Sequence, residues 1–408
     1  MHMHMYCFST ANRGREFYLG FLSNYVDYVN DSTLEVNIAS QYDGNIYLEV
    51  PFLNIRRNQT VTKGSTTITL DSSLQRHESY LEVRGVYVAS DVDITVYVIN
   101  SNVGCGSAFM ALPVQLMGQS YTIISYTPEI NEISEFMVIG MTADTSVRLT
   151  YTNGTNVILL LDRLEVYQAT AAYDLTGTMV TANKDVSVIS GASCSYVFNP
   201  WCDMLVTALP PLTYYGTHYI VPSAFTEHSY LVRVIALSSD DNDVKIRDSE
   251  NQEGPTVSTT GMSVDIYNTT NPITIVASRP IIVAEYIDTN PYVTLIPSVD
   301  QYTYEYSFSI SSVYTNFINY LAIVIPENAT DGLLIDGRRP TRLDSSYNIP
   351  EPFPHYAMYV YDIDTGYHFV NHTDRTNFLL MAFGISDNYD NYGFVVGFNV
   401  ASDGQDYS

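Results

Sequence analysis

The sequence has little charge, and very little of it is positive. Only 15% of its 408 residues are charged, 44 acidic against 18 basic, for a formal net charge of −26. An average soluble domain is about 25% charged. Phosphate-backbone recognition needs clustered Lys and Arg, so nucleic acid and anionic membrane surfaces are disfavoured as partners. No run approaches 18 consecutive apolar residues, which excludes a spanning helix and hence membrane insertion by one. Phosphate-cradling loops, His-Glu-x-x-His pairs and dinucleotide fingerprints are also missing. Ser190-Gly191-Ala192-Ser193-Cys194 falls short of the Gly-x-Ser-x-Gly elbow, which needs a strand-to-helix turn. Eight histidines are scattered, with His218, His228, His355, His368 and His372 beside aromatic or strand residues, where they read as structural. No catalytic residue, metal site or cofactor is assigned on these grounds.

What replaces the charge is Ser, Thr, Asn and 35 Tyr, within a composition that is 46% hydrophobic. Thr, Tyr, Val and Ile fit a pleated, half-buried surface, so the expected class is all-β. The length calls for two to four compact units.

A marker recurs along the chain: a strand, a turn, and an apolar segment ending in proline. Ala111-Leu112-Pro113, Ala208-Leu209-Pro210 and Leu295-Ile296-Pro297 carry it, and Phe378–Ile385 leading into Phe394–Val400 ends the chain without the proline. Upstream, each copy has a strand such as Leu34–Ile38, Phe136–Ile139, Tyr230–Val234 or Tyr320–Val324. A turn and a second strand follow in each case: Ile46–Val50, Val147–Tyr151, Val244–Arg247 and Leu333–Asp336. Period-two alternation bounded by Asp, Asn, Gly and Ser is the meander signature, and such strands in series read as sandwiches. The expectation is four tandem, diverged β-sandwich-like units of about 90–110 residues, at 1–117, 118–213, 214–303 and 304–408. The segment 164–175 leaves room for a short helix without altering this organisation.

Ser190-Gly191, Cys194, Cys202-Asp203, Leu209-Pro210-Pro211 and Tyr215-Gly216-Thr217 resemble the cysteine-bracketed core motif of the IgGFc-binding protein N-terminal domain family. Gly14-Arg15-Glu16-Phe17, with Phe21 and Asn24, is similar to that family's start, and Tyr230-Leu231-Val232-Arg233-Val234 resembles one of its strands. The resemblance runs from about residue 14 to 400. It implies a secreted, non-catalytic extracellular module of mucus-associated and cell-surface proteins, with a binding or adhesive role. No cysteine-rich von Willebrand-type repeats follow in this sequence, and no Fc-contact motif can be carried over.

Four cysteines allow three pairings. Cys194 and Cys202 bracket seven residues including Asn199-Pro200-Trp201. In an oxidising compartment they should close a hairpin tip, worth about 2–3 kcal/mol. Zinc would want a second ligand pair at close spacing, and none is nearby. The remaining pair, Cys7 with Cys105, would staple down the N-terminal segment. Glycosylation sequons stand at Asn30, Asn58, Asn153, Asn268, Asn328 and Asn371, all read as turns or their borders. Asp240–Asp243, Asp362–Gly366 and Asp387–Asp390 gather oxygen ligands that calcium could use, although β-turns require the same residues. The start, Met1-His2-Met3-His4-Met5, lacks the apolar core of a signal peptide, so either a leader has been removed or this is not the natural start.

Two functions fit these observations. The first is an extracellular binding module that recognises glycans or proteins through Tyr-rich loops, with Tyr304-Glu305-Tyr306 and Asp387–Tyr392 as candidates. The second is a homo-oligomer, a structural subunit that assembles into a filament or coat through exposed strand edges.

Overall fold

The computed structural model describes residues 13–26, 31–102, 104–198, 201–223, 229–237, 242–248, 263–287, 290–311, 316–386 and 391–400. Among them the regular structure is antiparallel strand, and the only helices are 3-10 turns. The protein is all-β.

One pairing pattern occurs four times along the chain. A central strand (Thr33–Ser40, Ser134–Gly140, Tyr230–Ala236, Phe317–Pro326) lies between two antiparallel neighbours. One neighbour carries a closing strand on its far edge: Cys105–Met110, Asp203–Ala208, Val293–Leu295 or Asn391–Val395. A second layer forms around a leading strand (Gly14–Leu19, Gly118–Thr122, His218–Val221, Glu305–Ile310). In the first two occurrences a single 17-residue strand, Val86–Asn102 or Met179–Ser195, serves both layers. In the third, Pro280 has no N–H to continue the ladder, and the strand divides into Ile273–Ala277 and Ile281–Ile287. In the fourth it divides around Arg375, whose φ of 57° lies in the left-handed region.

The apolar marker has a structural job. Pro113, Pro211 and Ser298 each stand at the N-cap of a 3-10 turn that leads out of the closing strand. Equivalent backbone bonds, from Ala111, Leu209, Ile296 and Val396 to Val96, Val188, Val283 and Leu380, fix the alignment. That alignment corrects the sequence reading by one residue: Pro113 corresponds to Pro211 and Ser298, not to Pro210 and Pro297. Glycine precedes the next leading strand because the backbone passes close. A Cβ at Gly118 would stand 2.8 Å from the Pro211 ring, and one at Gly14 only 2.3 Å from Pro113 Cβ. Three residues on, Tyr121 and Tyr219 each donate a 2.6 Å hydrogen bond to the carbonyl of Val186 or Ile281, and Tyr306 donates likewise to Phe378.

The four closing strands pack on one another in turn, the last returning to the first. They enclose a cavity of about 40 Å³ lined by residues from all four, among them Phe109, Thr207, Thr294 and Phe394. The first and last sheets share one apolar core. Polar contacts reinforce the seam: Arg13 pairs with Glu305, and Ser311 donates to Glu35 at 2.9 Å. The strand Tyr80–Val83 crosses over to pair with Glu165–Ala171. The short helix that 164–175 left room for is not formed. Leu164 turns at φ 65° and the chain enters the strand Glu165–Ala171, which is paired on both sides.

Candidate functional site: a disulfide-pinned aromatic tip

The strand Met179–Ser195 and the strand Asp203–Ala208 are antiparallel neighbours, so the chain between them must reverse. Gly191 belongs to this pairing for a steric reason: a Cβ there would fall 1.7 Å from the carbonyl oxygen of Leu205. Beyond it, Cys194 and Cys202 are joined, with Cα atoms 5.3 Å apart.

The base of the loop is held by polar groups. Asp203, fully buried, accepts hydrogen bonds from the N–H of Gly106 at 2.8 Å and of Met204 at 2.7 Å. Ser193 donates to Glu132 at 2.7 Å, and the N–H of Ile133 donates back to Ser193 at 3.0 Å. The N–H of Glu129 donates to the carbonyl of Cys194. These bonds fix the flanking loop that carries Ile130.

The tip itself is apolar and exposed. Trp201, the one tryptophan of the chain, is 57% exposed, and Tyr196 and Phe198 are 40% and 42% exposed. Tyr267, from the strand Ser263–Thr269, meets Phe198 edge-on at 5.3 Å. Ile130 is 81% exposed on the neighbouring loop.

Behind Tyr267 lies a buried cation. Tyr267 donates to Asp265, which takes a two-pronged contact from Arg233 at 2.7 and 2.8 Å. Arg233 also donates to Asp174 at 2.6 Å and to the carbonyl of Ser125 at 2.9 Å, and it lies over the ring of Tyr126 at 4.7 Å. Burial alone would lower the basicity of Arg233, but Asp265 and Asp174 more than offset it, so the guanidinium is held charged. Burial pushes the Tyr126 phenol up to about 12, helped by the acidic neighbours. The sequence reading did not assign Arg233 a role. Its signal was a single arginine in an otherwise apolar strand, Tyr230-Leu231-Val232-Arg233-Val234.

The other expected sites fare differently. Cys105 is buried, its thiol 3.9 Å from the Ser193 carbonyl, and its expected partner Cys7 lies outside the described residues. Among the sequons, Asn153 is exposed in a turn and Asn328 in a 3-10 turn. Asn268 and Asn371 are the next-to-last residues of the strands Ser263–Thr269 and Gly366–His372, whereas Asn58 lies in the middle of Ile55–Val61, which corrects its placement at a turn or turn border. Asn30 is outside the described residues. Of the oxygen clusters, Asn242 caps Ser278 and Arg279, Asp362 and Asp364 face Arg342, and 387–390 are not described. Among the described residues no group of three or more His, Cys, Asp or Glu could hold a metal ion. Ser190 spends its hydroxyl on the carbonyl of Ile124 at 2.6 Å. The Tyr-rich candidates are corrected too: Tyr306 and Tyr392 are fully buried core residues, and Tyr304 lies under the Arg375 guanidinium.

Fold and tip together define an all-β scaffold that displays a covalently pinned loop. The chain belongs to the family described as IgGFc binding protein, which it matches over residues 107–384. It is 27% identical over 255 residues to the IgGFc-binding protein of Homo sapiens, a match that covers 56% of this chain and 4% of that protein. The crystal structure of a tetra-tandem repeat in the extending region of a large adhesion protein aligns over 95% of this chain and 99% of its own. That alignment has 11% identity and a TM-score of 0.10, too low to indicate a shared fold. No helix among the described residues is long and apolar enough to cross a membrane.

Proposed function

We propose that this chain is a secreted, non-catalytic extracellular binding module of mucus, matrix or cell surface, and that it engages a protein partner through the tip at Cys194–Cys202. The observation that carries this reading is the exposure of Trp201, Tyr196 and Phe198 on one short loop, with Tyr267 against Phe198 and Ile130 exposed on the flanking loop. Aromatic residues are enriched at interfaces and dominate their energetics, and a rigid loop loses little entropy on binding. Family membership supports a binding role, and the printed name of the human relative makes the Fc region of immunoglobulin G the first ligand to try. The fourfold pairing pattern supports counting four units, with 1–117, 118–213, 214–303 and 304–408 as the proposed division.

The test is surface binding of the purified chain to immobilised Fc and to a panel of extracellular proteins. Trp201→Ala should weaken binding at least tenfold, since an interface hot spot is worth about 2 kcal/mol or more. A ligand bound equally by both proteins would place recognition elsewhere.

One observation favours the second reading, self-assembly into a filament or coat. The strand Asn156–Leu161 pairs on one side only and turns Ile158 and Leu160 outward, 65% and 56% exposed. An apolar open edge is a template for strand addition. Ile158→Lys should abolish any assembly seen by electron microscopy of native material, and a strictly monomeric wild type rules this reading out.

A further inference from the structure

In a chain of net charge −26, three of the 18 basic residues fall within five positions, Arg338, Arg339 and Arg342. The overall charge balance conceals this local cluster. The fold concentrates it further. Asp336 and Gly337 both have positive φ, 52° and 75°, and the backbones of Ile335 and Arg338 bond to each other in both directions. This is a tight reversal that sets Arg338 in a fixed place at its exit. The turn forms one wall of a groove of about 530 Å³, and Tyr361, Asp362, Asp364 and His368 contribute to the other. That volume suits a small saccharide or a similar ligand.

The carboxylates of the groove are already committed. Asp336 accepts from the N–H of Phe369 and from His368, both at 2.9 Å. Burial opposes its ionisation, but these bonds hold its carboxyl below the ordinary range. Asp364 and Asp362 face Arg342 at 3.0 and 3.7 Å, and Asp331 faces Arg339 at 3.2 Å. Arg338, exposed at the groove, has no acidic partner among the described residues. The pairs made by Arg339 and Arg342 are between solvent-exposed side chains, so they are weak and can be exchanged for an incoming anion.

We infer that this groove binds an acidic saccharide, with Arg338 gripping its carboxylate or sulfate and Arg342 recruited from Asp364 on binding. An arginine fork matches a planar carboxylate, and a sulfate, with two parallel hydrogen bonds. The small, polar groove suits a sugar rather than a protein surface. It shares no residue with the aromatic tip and stands whether or not the tip binds protein.

The experiment is titration of the full chain with 3′-sialyllactose, with 6-sulfo-N-acetyllactosamine and with neutral lactose, followed by calorimetry. The two acidic probes distinguish carboxylate from sulfate as the natural group. At least one should bind, lactose should bind at least tenfold more weakly, and raising salt should weaken the acidic probe. Arg338→Gln should reduce affinity about tenfold or more, since it removes the charge-assisted hydrogen bonds to the anion. Unchanged thermal stability in this variant, and unchanged binding by Trp201→Ala, separate the groove from folding and from the tip. Absence of binding to both acidic probes, equal binding of lactose, or full affinity in Arg338→Gln each overturns the inference.

Discussion

Tyr97 and Phe394, from the first and last sets of strands, meet with their rings tilted at 40° and centroids 4.9 Å apart, and the Tyr97 hydroxyl donates to the carbonyl of Val396 at 3.2 Å. This contact converts a series of sheets into a ring. It requires the last closing strand to pack against the first. Phe394→Ala should cost about 3–4 kcal/mol in chemical denaturation, by transfer and cavity terms together. Tyr97→Phe should cost about 1 kcal/mol, the worth of one hydrogen bond. If Phe394→Ala costs no more than an exposed substitution, the ring does not close in solution.

Arg233 joins the second and third sets of strands through Asp174 and Asp265. Removing one partner of a buried ion group strands the others, so Arg233→Met should destabilise by about 3 kcal/mol. Adding Asp265→Asn should recover about 1 kcal/mol or more of that loss, because the orphaned charge goes with it. Equilibrium unfolding of the single and double variants measures this coupling, and simple additivity would show that the two side chains act independently.

The strands were legible in the sequence to within a few residues because their signals are local. Tyr230–Val234 is a short, mostly apolar run of strand-favouring residues bounded by polar segments, and it forms most of Tyr230–Ala236. The tip was legible because two cysteines bracket a short loop. Ring closure was not, since nothing near Tyr97 specifies a partner almost 300 positions away. The tyrosines misled for a related reason. A Tyr in a turn-rich segment reads as surface, but Tyr306 and Tyr392 satisfy their hydroxyls on Phe378 and Asn319 and so can be buried. The segment 164–175 left room for a helix because its alternation breaks at Val166-Tyr167 and Ala171-Ala172, and tertiary pairing decides such segments.

The disulfide ties the tip to the core, since Cys194 is buried in it and Cys202 packs against it. With the cysteines separated by eight in sequence, Cys194→Ser with Cys202→Ser should lower stability by about 2.5 kcal/mol on the loop-entropy estimate. The base of the loop keeps Asp203 and Ser193, so the fold should persist while ligand binding at Trp201 weakens. Thermal unfolding with and without reductant, beside the binding assay, measures both effects. Loss of stability without loss of affinity would make the bridge purely structural.

Glu135 carries a pH dependence of predictable sign. It is fully buried on the strand Ser134–Gly140. Burial pushes its carboxyl well above the ordinary range, the N–H of Ser23 pulls the other way, and Glu132 adds to the rise. A raised carboxyl favours the folded state while it is neutral. Its contribution is therefore complete below the unfolded value, about 4.3, and declines as pH rises through the folded value. Glu135→Gln keeps the shape and removes the charge. Its melting temperature should match the wild type near pH 4 and exceed it at pH 8, so that the two profiles diverge with rising pH. Parallel profiles would mean that Glu135 does not ionise differently in the folded and unfolded chains.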